Sequence, residues 1–67
     1  MMERYVVNTQ EQANGDHEVH KQGCWYFPSS FIELGRHVSC RSAVNAAKIY
    51  YVKSDGCKFC IPECHTS

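Results

Sequence analysis

Two short segments of this chain carry residue types that hold metal ions. His20-Lys21-Gln22-Gly23-Cys24 offers an imidazole and a thiol, and Gly56-Cys57-Lys58-Phe59-Cys60 offers two thiols separated by two residues. The second segment has the form of a zinc knuckle, where two thiolates chelate one ion and a glycine permits the tight turn. The first lets two side chains converge at a strand end, so His20, Cys24, Cys57 and Cys60 together make the closed tetrahedral ligand set of one structural zinc ion. Two substitutions within that set stay open. Cys64 in place of His20 gives an all-cysteine site, and His17 takes the place of His20 if the strand register slips by one.

The remaining candidates are read more simply. Cys40 is a small buried residue on a helix face. Cys64-His65 is a reactive thiol beside a base on one reading and a polar tail on the other, and the tail is preferred because adjacent residues rarely aim at one another. A second metal site drawing on His17, Cys40, Cys64 and His65 is conceivable, although no spacing demands it. His37 has no assigned role.

Composition narrows the class. A chain of 67 residues forms one domain, residues 1–67, and apolar burial alone leaves a domain of that size marginally stable, so a cross-link is expected. The 5 cysteines and 4 histidines offer either disulfides or metal. Metal is preferred: the N-terminal residues lack the apolar stretch of a signal peptide, which points to a reducing cytoplasm, and an odd number of cysteines strands one thiol in a secreted disulfide scaffold. No apolar run approaches the roughly 20 residues of a membrane span. Lysine plus arginine (7) balances aspartate plus glutamate (7), with the basic residues scattered, so weak non-specific nucleic-acid affinity is expected.

The elements that must position these ligands follow from pattern. Arg4 to Asn8 is β-branched and aromatic, as a short strand requires, and Asn14-Gly15-Asp16 has turn chemistry. His17 to Lys21 alternates as a second strand, with His17 and Val19 on one face and Glu18 and His20 on the other. Trp25, Tyr26 and Phe27 fall in a loop because Pro28 biases Phe27 away from helix. Phe31 to Val38 suits a third strand broken by Gly35. Ser39 is a good N-cap for a helix from Cys40 to Tyr51, whose buried stripe is Cys40, Ala43, Val44, Ala47, Tyr50 and Tyr51. Ser54-Asp55-Gly56 stops that helix, and Pro62 suits the first position of a final helical turn. The predicted fold is α+β: two or three short antiparallel strands, one main helix and a zinc knuckle.

The pattern His20-x-x-x-Cys24, a short strand, Ser39-Cys40-Arg41-Ser42-Ala43-Val44 leading an Ala-rich helix, then Gly56-Cys57-x-x-Cys60-x-Pro62 resembles the Ada-type metal-binding domain over roughly residues 17 to 62. That domain occurs in methyl-phosphotriester repair proteins and as an appendage of small nucleases. The whole chain is also similar to a family of short bacterial proteins with an Asn-Gly-Asp-His-Glu-Val-His segment, here Asn14 to His20, and a Gly-Cys-x-x-Cys ending, here Gly56 to Cys60. The Ada-type resemblance implies the zinc site, a small sheet-plus-helix fold and nucleic acid as a ligand class. It does not carry over methyl transfer, because the methyl-accepting cysteine of the repair protein is replaced here by His20.

The expected function is a non-catalytic zinc-binding interaction module. Trp25, Tyr26 and Phe27 beside Cys24 offer a surface for stacking on bases or packing on a protein, although core packing is the preferred reading for rings in so small a domain. Balanced charge favours a protein partner over nucleic acid. An enzyme using Cys64 with His65, or an open zinc position, is the competing class. It is disfavoured because four protein ligands close an ion to water and no acidic general base sits at a recognisable spacing.

Overall fold

The structure is a computed structural model that describes residues 2–66. Four strands and one helix follow in the order β1 (Glu3–Asn8), β2 (His17–Lys21), β3 (Phe31–His37), α1 (Cys40–Tyr50) and β4 (Ser54–Gly56), with a single 3₁₀ turn at Pro62–Cys64. The strands form one mixed sheet ordered β3-β1-β2-β4. This is the α+β class read from the sequence, with one more strand than expected.

The first two strands pair because their alternation matches. Val6 lies opposite His20 and Val7 opposite Val19, which fixes the register of the antiparallel pair. The connection turns where the Asn-Gly-Asp segment predicts: Asn14 Oδ1 accepts from the Asp16 N–H, and the Gly15 N–H reaches the Gln12 carbonyl. On the other side of β1 the third strand is continuous through Gly35. Tyr5 faces Gly35 and Val6 faces Glu33, so Leu34 is accommodated in a β-bulge, and the expected break becomes a local shift of register.

Ser39 caps α1 as predicted, its side chain accepting from the Ser42 N–H, and Tyr51 is the C-cap. Cys40, Ala43 and Ala47 are buried against the sheet, and Val44 and Tyr51 are half-buried. Tyr50, placed on the buried stripe by its spacing, is exposed. It is the last helical residue, where the stripe has already turned past the edge of the sheet.

Ser54-Asp55-Gly56 does more than stop the helix. It forms β4, parallel to β2, with Ser54 beside His17, Asp55 beside Glu18 and Gly56 beside Val19. The helix between β3 and β4 thus delivers the final segment to the free edge of β2, where the knuckle begins.

The core between helix and sheet contains Tyr5, Val7, Val19, Cys40, Ala43, Ala47, Cys57 and Ile61. Most are small, and the largest fully buried side chains are Ile61, His20 and three valines. At about 1.5–3 kcal/mol for each buried aliphatic side chain, set against about 1–2 kcal/mol of backbone entropy for every ordered residue, such a core needs help from cross-links. One is present among the described residues: Cys40 at the start of α1 is disulfide-bonded to Cys64 in the 3₁₀ turn, with Cα atoms 6.3 Å apart.

Candidate metal centre

The knuckle is hung on the same strand that carries the histidine. The Cys57 N–H donates to the Val19 carbonyl at 2.9 Å, and the turn closes when the Ile61 N–H donates to the Cys57 carbonyl at 3.0 Å. Gly56 is needed for space and not for a left-handed turn: a Cβ there would lie 2.9 Å from the carbonyl carbon and oxygen of Cys64. At the other half-site Gly23 does take a positive φ, +97°, as the chain leaves β2 and folds back so that the Cys24 N–H reaches the Lys21 carbonyl.

These turns bring His20, Cys24, Cys57 and Cys60 together, with one ligand atom from each lying within 4.8 Å of the others. The Cys24 and Cys57 sulfurs are 3.8 Å apart, and the Cys24 sulfur is 3.5 Å from His20 Nδ1. A tetrahedral zinc centre with Zn–S of about 2.3 Å and Zn–N of about 2.0–2.1 Å has S–S edges of about 3.8 Å and N–S edges of about 3.5 Å. The donor set therefore fits such an ion in type, in number and along two edges. All four expected ligands are in the cluster, His20 through Nδ1.

Electrostatics agree. Burial lowers the pKa of His20, which favours the neutral imidazole that a metal requires, although the nearby Glu18 carboxylate works in the opposite direction. Burial, with crowding by Cys24 and Cys57, pushes the Cys60 thiol up to about 12, against the lowering effect of a hydrogen bond from the Lys21 backbone. Three sulfurs packed this closely do not share negative charge without a cation among them. The far nitrogen of the imidazole, Nε2, is buried without an aligned hydrogen bond, yet Glu18 Oε1 is 3.2 Å away. That is the place of the carboxylate that orients a metal-bound histidine.

The other candidates are placed elsewhere. His17 stacks on Tyr51 with ring centroids 3.6 Å apart and contacts the Asn8 carbonyl through Nδ1, so it does not substitute for His20. Cys64 is neither a ligand nor a reactive thiol, because its sulfur is bonded to Cys40. His65 turns away from it to the Gly56 carbonyl, 2.9 Å from Nδ1. A second site on His17, Cys40, Cys64 and His65 is thereby removed. Cys40 is buried as expected, but the choice of metal over disulfide is corrected: the five cysteines divide into one disulfide and three cluster thiols. His37 is structural, its Nδ1 at 2.8 Å from Ser42 Oγ and its Nε2 at 2.9 Å from the Leu34 carbonyl.

Core packing also fails as the reading of two aromatic rings. Trp25 and Tyr26 are exposed, and only Phe27 is half-buried, edge-on to Phe31 and beneath the Arg4 guanidinium. No helix among the described residues is long and apolar enough to cross a membrane. No family model, curated protein or solved structure matches this chain.

Proposed function

We propose that this chain is a non-catalytic interaction module whose fold is fastened by one structural zinc ion held by His20 Nδ1 and the sulfurs of Cys24, Cys57 and Cys60. The carrying observation is that four ligand atoms of the right chemistry, drawn from two segments far apart in sequence, converge within 4.8 Å. Zinc suits a tetrahedral set of three sulfurs and one nitrogen. When bound it supplies a cross-link between the end of β2 and the segment after β4, a closure that a small core needs.

Four protein ligands leave a tetrahedral ion no open position for water, which supports a structural role over hydrolysis. The disulfide at Cys64 supports this reading over the thiol-enzyme alternative, which relied on Cys64 beside His65. From the Ada-type resemblance the proposal takes only the ligand arrangement.

The experiment is chelation followed by restoration. Removing the ion under conditions that leave the Cys40–Cys64 bond intact should abolish the cooperative thermal transition seen by circular dichroism, and added zinc should restore it. A domain that melts identically with and without chelator would refute the structural role.

A further inference from the structure

Three aromatic rings stand in solvent beside the metal ligands. Trp25 is 97% exposed, Tyr26 57% and Phe59 62%. Trp25 and Tyr26 directly follow Cys24, and Phe59 lies between Cys57 and Cys60, so the rings ride on the two loops that the cluster ties together. Tyr26 and Phe59 meet across that junction with centroids 4.6 Å apart. Single exposed apolar residues need no explanation, but a group of rings fixed at its roots is a candidate contact surface. The chain's one tryptophan is outside the core.

Trp25 and Phe59 line an open cleft of about 320 Å³ together with Lys21, Gly23, Cys24 and Cys60. A second cation, Lys58 Nζ, sits 5.6 Å from the centre of the Phe59 ring. No carboxylate lines the cleft. Among the described residues, the one charged side chain lining the cleft outside the metal cluster is Lys21, and Lys58 stands over the neighbouring Phe59 ring. The zinc-bound thiolates leave the centre with a single net negative charge, so a cationic guest would meet more positive than negative charge there. The complementary guest is a flat ring carrying an anion.

We propose that this cleft binds single-stranded nucleic acid, with an unpaired base stacked between Trp25 and Phe59 and the neighbouring phosphates paired with Lys21 and Lys58. Aromatic platforms accept any base face, and lysines follow the backbone. A duplex keeps its base faces inside its own stack and does not offer one. The balanced net charge of the chain favours a protein partner only when charge is summed over the whole surface; at the cleft itself the charged side chains are Lys21 and, beside Phe59, Lys58, against the single net negative charge of an ion held by three thiolates. The proposal rests on the zinc reading in one respect: the ion holds the two loops, and hence the two rings, at a fixed separation.

The test uses the fluorescence of Trp25, the chain's one indole, in protein whose zinc content has first been measured. A short oligothymidylate should quench it saturably, with log K falling against log salt at a slope of about −1.4, the value for two phosphates on a single strand. Phe59→Ala, an exposed residue, should weaken binding about tenfold while leaving the thermal transition in place. Lys58→Ala should reduce the slope by about 0.7. An unchanged Trp25 signal in zinc-loaded, folded protein overturns the proposal, as does quenching that Phe59→Ala and Lys58→Ala leave intact. Quenching by an acidic peptide but not by the oligonucleotide overturns it in favour of a protein partner, and a Trp25 signal that changes only with the protein's own concentration overturns it in favour of self-association. Zinc-free protein that keeps its cooperative thermal transition and binds the oligonucleotide refutes the structural-zinc reading and leaves the cleft standing, so the two failures are distinguishable.

Discussion

The sulfur atoms of Cys24 and Cys57 lie 3.8 Å apart across 33 residues of sequence. Backbone hydrogen bonds set this contact: the Cys57 N–H is anchored on Val19, the residue before His20, and the Cys24 N–H on Lys21, the residue after it. The strand β2 is therefore the ruler for both halves of the site. A shift of one residue in its register would turn His20 to the other face of the sheet, away from the sulfurs.

Cys57→Ser and Cys60→Ser should each lose stoichiometric zinc and, with it, the cooperative fold. Metal content and circular dichroism on the same preparations check this. Retention of a full equivalent of zinc by either variant would show that the ligand set is wrong.

The disulfide acts on a different part of the molecule, tying the start of α1 to the 3₁₀ turn across a sequence separation of 24. Closing a loop of that length stabilises by about 3.5 kcal/mol in the chain-entropy description. Cys40→Ala with Cys64→Ala should therefore lower the unfolding free energy read from denaturant titration by that amount while leaving one zinc per chain. Loss of zinc in the double variant would mean that the two cross-links are not separate.

What was legible in the sequence was local. His17 to Lys21 alternates cleanly and is the observed β2; Ser39 precedes an Ala-rich run and is the observed N-cap; the paired spacings of His20 with Cys24 and Cys57 with Cys60 identify the cluster. The missed features are tertiary. Ser54-Asp55-Gly56 consists of turn-forming residues, and only the edge of β2 makes it a strand. Cys40 and Cys64 meet only because α1 docks on the sheet above the knuckle, and no spacing announces that. Trp25 has the composition of a core residue, but the turn at Gly23 carries it past the end of the sheet into solvent.

Glu18 faces the distal nitrogen of His20 at 3.2 Å, with its own side chain 17% exposed. Glu18→Gln should keep the fold and weaken zinc binding by about 10–100-fold, the usual cost of losing the carboxylate behind a histidine ligand. Competition against a chromophoric chelator measures it. An unchanged affinity would assign the carboxylate no part in holding the ring.

Gly56→Ala should destabilise the domain although the glycine sits in an ordinary strand conformation. The new methyl group would be 2.9 Å from backbone atoms of Cys64, which the disulfide holds in place. Overpacking of this kind costs about 1–3 kcal/mol, readable as a lowered denaturant midpoint. Pairing Gly56→Ala with Cys64→Ala should relieve part of the cost, because the tail is then free to move.

The central claim is tested most directly by counting metal and thiols together in protein purified without added metal. Elemental analysis should find one zinc per chain. Mass spectrometry under native conditions should show that ion together with the two-hydrogen deficit of a single disulfide, and denaturing alkylation should label three cysteines: Cys24, Cys57 and Cys60. A folded chain with no metal, no uptake of added zinc and three freely reactive thiols would contradict the account.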